Sequence, residues 1–192
     1  TPSFSRQEDQ TAAILCRFLG TRDIVHTRMG NNVFALNKYF DEKKPVILLN
    51  SHHDTVQPNP QYNKDPFSPA IEDGKLFGLG SNDAGGCLVS LIAAFLHFYD
   101  RKDLKYNLVL AATAEEEISG TGGIEALLQH EAFIEQTRSA FRPPFRRACA
   151  IVGEPTQMQM AVAERGLMVL DCTSHGKAGH AARDEGDNAV YK

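Results

Sequence analysis

Apolar residues recur at Ile14, Leu15, Phe18 and Leu19, the three-and-four spacing of one helix face. Ser5 stands three residues before Glu8 in the manner of a capping box, and Gly20 follows the last apolar position. Two short strands are expected over 24–28 and 33–36, joined by the turn Gly30-Asn31-Asn32. Val46-Ile47-Leu48-Leu49 and Leu108-Val109-Leu110-Ala111-Ala112 are unbroken apolar runs of strand length, which suits strands covered on both faces. A proline-punctuated loop spans 58–69. Helices are expected over about 85–99, with Leu88, Leu91, Ile92 and Phe95 on one face, and over about 122–130. A further strand falls over 148–152. This alternation predicts an α/β domain with a mixed, largely parallel sheet. From 157 to 174 the pattern shifts toward period two (Met158, Met160, Val162, then Met168 and Leu170), which suggests the start of a second, α+β element. The chain divides on this reading into 1–164 and 165–192.

Composition narrows the classes of function. Twenty basic residues against twenty-four acidic ones leave a net charge of −4, with no electrostatic footprint for nucleic acid. The local cluster Arg138, Arg142, Arg146 and Arg147, interrupted by Pro143 and Pro144, reads as a solvated surface. Cys16, Cys87, Cys149 and Cys172 are scattered without a C-x-x-C pair, and three have apolar neighbours, so buried free thiols are expected. The apolar run over 88–98 is too short to span a bilayer and contains Ser90 and His97. No signal peptide opens the sequence, which points to a cytoplasmic protein.

Four polar clusters share one topological position, immediately after an expected strand or on the loop it feeds. They are Ser51-His52-His53-Asp54, Ser81-Asn82-Asp83-Ala84-Gly85-Gly86, Thr113-Ala114-Glu115-Glu116-Glu117 and Val152-Gly153-Glu154-Pro155. Strand carboxyl ends line the ligand crevice of open α/β sheets, so the four could converge. Each alone is weak, since three glutamates are usually a solvated helix start. Together they offer imidazole and carboxylate donors, the set that zinc accepts, and one carboxylate more to move a proton. In His52-His53-Asp54, the aspartate two residues on can fix the tautomer of a metal-binding imidazole. The remaining histidines, His26, His97, His130 and His175, read as structural. The glycines at 78–86 and 120–123 match no phosphate-loop pattern.

The runs His52-His53-Asp54-Thr55-Val56, Gly78-Leu79-Gly80-Ser81-Asn82-Asp83-Ala84-Gly85-Gly86, Thr113 to Glu117, Val152 to Thr156 and His175-Gly176-Lys177-Ala178-Gly179-His180-Ala181-Ala182 resemble in order the motifs of a dinuclear metallohydrolase family. That family includes acetylornithine deacetylase, succinyl-diaminopimelate desuccinylase, aminoacylase and glutamate-releasing carboxypeptidases. The resemblance implies a three-layer, zinc-exopeptidase-like α/β catalytic domain followed by the start of an α+β lid and dimerisation domain. It implies two zinc ions, with cobalt as a substitute. His52 and Glu154 would hold one ion, Glu117 the other, and Asp83 would bridge them. Glu116 would be the general base and then acid, Asp54 would orient His52, and His180 would reach across a homodimer to the developing oxyanion. A non-proline cis peptide at Asp83-Ala84 is implied as well. Glu115 stands where the family usually has Asp or another polar residue, which leaves the triplet open to a shift of one position.

The expected substrate is a small N-acyl amino acid, and the wording over 158–166 is similar to the acetylornithine deacetylases of arginine biosynthesis. A desuccinylase, a dipeptidase or carboxypeptidase on the same scaffold is the alternative, and a silent metal-binding module is a different one. The family's chains are longer, and a histidine for the second ion comes from a later segment. The expectation is therefore a fragment of a longer enzyme rather than a natural short form, with nucleic acid and membrane excluded as partners.

Overall fold

The structure, a computed structural model, describes residues 1–138, 140–141, 147–161, 172–179, 186–187 and 189. It separates into two compact units, Thr1–Met158 and Gln159–Lys192. In the first, the elements run α1 (Asp9–Gly20), β1 (His26–Met29), β2 (Asn32–Leu36), β3 (Val46–His52), β4 (Ala70–Glu72), β5 (Lys75–Phe77), a kinked turn over Ser81–Gly86, α2 (Cys87–Phe98), β6 (Asn107–Thr113), α3 (Ile124–Gln129), α4 (Glu131–Gln136) and β7 (Ala148–Val152). The main sheet has the order β1-β2-β6-β3-β7. β1 with β2 and β2 with β6 are antiparallel, whereas β6 with β3 and β3 with β7 are parallel. The sheet is thus mixed, with its parallel half where the polar clusters lie.

The unbroken apolar runs are explained by helices on both faces. Successive strand residues point to opposite sides, and every residue of β6 is buried. Leu108, Leu110 and Ala112 pack with Ala12 and Leu19 of α1 and with Leu88, Ile92 and Phe95 of α2. Val109 and Ala111 pack on the other side with Leu127 of α3 and Phe133 of α4. Phe34 and Phe133 meet edge to face at 5.1 Å between ring centroids, a pairing that adds about 0.5–1.5 kcal/mol to the burial itself.

Several local features differ from the sequence reading, each for a physical reason. Ser5 and Glu8 do not cap α1, whose amino end has no side-chain cap; both side chains make tertiary contacts described below. The helix expected over about 122–130 is α3, and a second short helix that was not expected, α4, follows it; His130 between them is extended (ψ 132°) and its ring accepts from the Ala132 amide to begin α4. An unforeseen hairpin joins β4 to β5 through Asp73 and Gly74, both at positive φ, the conformation of a tight two-residue turn. Cys149 and Cys172 are exposed and Cys16 and Cys87 half-buried, so the thiols are free but not the buried set expected. Cys149 lies on β7, which among the described strands pairs only with β3 and leaves Ile151 and Val152 about half exposed. The basic cluster is described only at Arg138 and Arg147. No helix among the described residues is long and apolar enough to cross a membrane.

In the second unit, Lys177 and Asp187 form an isolated antiparallel bridge and Ser174 Oγ donates to Ala189 O at 2.7 Å. Much of the expected lid element, including most of the period-two stretch and His180, lies outside the described residues.

Candidate metal centre

The parallel register brings three strand ends level. His52 at the end of β3 is opposite Thr113 at the end of β6, and β7 follows β3 as far as the Asn50–Val152 pair. The Gly153 amide then donates to Asn50 O at 2.7 Å, so Glu154 emerges beside His52. Ser51 Oγ fixes the same crossing by donating to Gly153 O at 2.8 Å. Gly153 is required by space: a Cβ would come within 2.9 Å of Leu91 Cδ1 and 3.1 Å of Ser51 Cβ. Asp83 arrives from the kinked turn that leads into α2. Gly80 opens this turn at φ +73, and a Cβ there would fall 2.6 Å from Thr55 Cγ2. The Asp83-Ala84 peptide is cis, as the family resemblance implies.

His52 is the hub of the site and is 1% exposed. Its Nδ1 lies 3.1 Å from Asp54 O and 3.3 Å from Asp54 Oδ1. With Nδ1–H donated there, Nε2 faces Asp83 Oδ1 at 3.1 Å, Glu154 Oε1 at 3.7 Å and Glu116 Oε2 at 3.8 Å. Burial alone would lower the basicity of His52. The hydrogen bond and charge of Asp54, with the charges of Glu154 and Glu116, outweigh it and push its pKa up to about 9. Burial would likewise raise Asp54, but donors from His52, Ser5 and the amides of Glu116 and Glu117 hold it below the ordinary carboxylate value. Glu117 and Glu154 are raised, first by burial and then by repulsion from neighbouring carboxylates, with His52 opposing.

The loop after β6 sorts the three glutamates. The amides of Glu116 and Glu117 donate to Asp54 Oδ1 and Oδ2 at 3.1 and 3.2 Å. Glu115, at φ +56, turns the other way and accepts from the Gly122 amide at 3.2 Å. Glu116 is therefore the glutamate whose carboxylate faces His52. Asn32 holds the base of the loop, accepting from the Ala114 amide at 3.0 Å and donating to Gly122 O at 2.7 Å. His53, lacking any assigned role in the sequence, is a brace: Nε2 lies 2.9 Å from Asn31 O and Nδ1 2.9 Å from Thr11 Oγ1. Burial lowers its pKa, which fits a neutral ring donating from Nε2 and accepting at Nδ1.

The donor atoms of His52, Asp83 and Glu154 all lie within 4.8 Å of one another, a set that could close on one cation. Glu117 is outside that triad. The fit to a divalent ion is supported by charge as well as by donor type. Asp83, Glu116 and Glu154 converge on one imidazole, and among the described residues no lysine or arginine is paired with them. A cation would relieve this excess, whereas an anionic ligand would worsen it. Ser5, Glu8, Ser51 and Asn32 are supporting residues to which the sequence reading gave other roles or none. Only a pattern of buried polar side chains, visible in three dimensions, distinguishes them from caps and turn formers.

The sequence matches Peptidase family M20/M25/M40 over residues 48–175, which is well over half of the chain, and the protein belongs to that family. Solved structures share its fold. An M20 family metallo-carboxypeptidase from Sulfolobus solfataricus is 24% identical, with 79% of this chain and 34% of that one covered and a TM-score of 0.59. Human carnosine dipeptidase 1 is 20% identical, with 78% and 33% covered and a TM-score of 0.55. The di-peptidase Dug1p from Saccharomyces cerevisiae is 17% identical, with 80% and 36% covered and a TM-score of 0.51. The chain spans about a third of the length of these solved proteins.

Proposed function

We propose that this chain carries the principal metal-binding and proton-transfer residues of an amide hydrolase, acting on an N-acyl amino acid, with N-acetylornithine the first substrate to test. The observation that carries the reading is the triad His52, Asp83 and Glu154 with the Glu116 carboxylate 3.8 Å from His52 Nε2 and paired with no lysine or arginine among the described residues. Three donors can be committed to an ion while a fourth acidic group remains for proton transfer. Zinc suits imidazole and carboxylate donors, with cobalt a workable substitute. A bound divalent ion supplies Lewis acidity that polarises the amide carbonyl and makes water acidic enough to attack near neutral pH.

The chain's own residues do the rest. His52 is presented through Nε2 because Asp54 takes its Nδ1–H. Glu116 accepts the proton of the attacking water and returns it to the departing amine nitrogen, the nitrogen that becomes the free amino group of the product. Glu117, whose amide is tied to the same Asp54, is assigned to a second ion shared with Asp83. His180 is assigned to the developing oxyanion, in a homodimer of the complete protein. The acetylornithine assignment rests on the motif wording over 158–166.

A second reading has its own support: the similar solved structures are a metallo-carboxypeptidase and two dipeptidases by name. The substrate would then be a dipeptide or the end of a peptide, cleaved by the same residues. Comparing kcat/KM of the complete gene product for N-acetylornithine, N-acetylcitrulline, N-succinyl-diaminopimelate and a panel of dipeptides separates the two. The first reading expects the acylated amino acids to lead by roughly tenfold or more, since loss of a matched polar group in a buried site is costly. A lead for dipeptides moves the assignment to the peptidase branch. No turnover of any amide by zinc- or cobalt-loaded protein ends both readings.

A further inference from the structure

The segment before α1 is tied into the site by both backbone and side chains. Thr55 N donates to Ser3 O at 2.8 Å, and Phe4 forms a parallel bridge with Thr55, so the segment runs alongside the residues that follow β3. From there Ser5 Oγ donates to Asp54 Oδ2 at 2.7 Å. Glu8 is fully buried and accepts from three donors: Arg6 N at 2.8 Å and Glu115 N at 3.1 Å on Oε1, and Asn31 Nδ2 at 2.8 Å on Oε2. The amides of residues 115, 116 and 117 therefore all end on two buried carboxylates, Glu8 for the first and Asp54 for the next two.

We propose that Ser5 and Glu8 are positioning residues that aim the Glu116 and Glu117 side chains by holding the backbone of residues 115–117. The direction of a side chain on a loop follows the orientation of its peptide planes. Here three successive planes are fixed by acceptors supplied from outside the loop. A carboxylate suits position 8 because its partners are all donors, and a carboxylate has acceptors for each of them without a donor of its own to oppose one. A site needing only stability would fill this space with an apolar side chain, since a buried charge is costly unless its hydrogen bonds are complete. Ser5 acts one step further back: its hydroxyl occupies Oδ2 of Asp54, so the carboxylate plane is set for both the loop amides and His52.

The inference rests on the metal-centre reading for its catalytic meaning, but its physical part can be read without metal or turnover. Hydrogen exchange is measured on the metal-free complete gene product, in the unmodified protein and in Ser5→Ala, Ser5→Thr and Glu8→Gln. The segment 114–119 is expected to exchange about tenfold faster in Ser5→Ala and Glu8→Gln, with β3 and β6 unchanged and Ser5→Thr close to unmodified. In the zinc-loaded enzyme the same two variants should lose about tenfold in kcat with little change in KM, and any loss of zinc should be smaller than in Glu117→Gln. Exchange in 114–119 that stays within about twofold of the unmodified protein overturns the proposal, as does an equal rise across β3 and β6, the mark of a general stabiliser. If the segment responds but the unmodified protein neither binds metal nor hydrolyses any amide, the functional reading fails while the positioning of the loop stands.

Discussion

His52 illustrates how one residue decides several properties of the site. Its proton is retained up to about pH 9 in the metal-free protein, so an ion binding at Nε2 near neutral pH must displace it. Because the pKa is raised, the protonated form persists below about 9 and competition weakens as pH rises. Apparent zinc affinity should therefore climb with pH and level off near 9, with about one proton released from this residue per ion. Titration calorimetry in buffers of different ionisation enthalpy reads the proton directly, and a pH-independent affinity would sink the assignment. The two glutamates facing the site make a complementary pair of tests. Glu116→Gln in the complete enzyme should cost roughly 10²–10⁴-fold in kcat with metal content retained, because the amide still fits but cannot take a proton. Glu117→Gln should instead lower the metal content. The reverse pattern would mean that the two roles are exchanged.

Among the elements, the turn over Ser81–Gly86 is the one whose geometry is most closely dictated by its neighbours. Gly80→Ala places a methyl group against Thr55 Cγ2 and in a left-handed conformation at once. The expected loss is about 1–3 kcal/mol of stability, with weaker zinc binding because Asp83 is three residues on. Thr55→Ser, which removes the obstructing methyl but not the backbone strain, should restore part of both in the double variant; a purely additive double-mutant cycle by chemical denaturation would show that the contact does not matter. The strands β3 and β6 were legible because burial on both faces leaves an unbroken apolar run ending abruptly in His or Thr-Ala-Glu; β7 is largely exposed and was legible only from its short apolar run before Gly-Glu. The turn was legible only through its resemblance to a family motif, since Gly80 to Gly86 has no periodicity to read. Ser5 and Glu8 were misread because a serine three residues before a glutamate has the same spacing whether it caps a helix or grips a distant loop. The β4–β5 hairpin did have a signal, Asp73-Gly74, but its strands are three residues each and largely exposed, too short for a pattern. Helix α4 went unread because its six residues, Glu131–Gln136, are too few for a periodic signal.

For the molecule as a whole, an ion held by His52, Asp83 and Glu154 would join three separate stretches of chain. Zinc at about 100 times its Kd should stabilise the folded state by about 2.7 kcal/mol, or roughly 5–10 °C in Tm for a chain of this size. His52→Ala should abolish most of that rise, and a chelator should reverse it in the unmodified protein; equal stabilisation of both by zinc would place the ion elsewhere. The three donors are not anchored equally. His52 ends a strand with neighbours on both sides, whereas Glu154 follows β7, which is held by β3 alone among the described strands. Departure of the ion then has a natural first step. Fraying of the last β7 pairs would withdraw Glu154 and leave two donors, so the lifetime of an ion bound there would follow how often β7 opens. Zinc release into excess chelator should reach a plateau rate that no longer depends on chelator concentration, and that plateau should match the opening rate of the β7 amides.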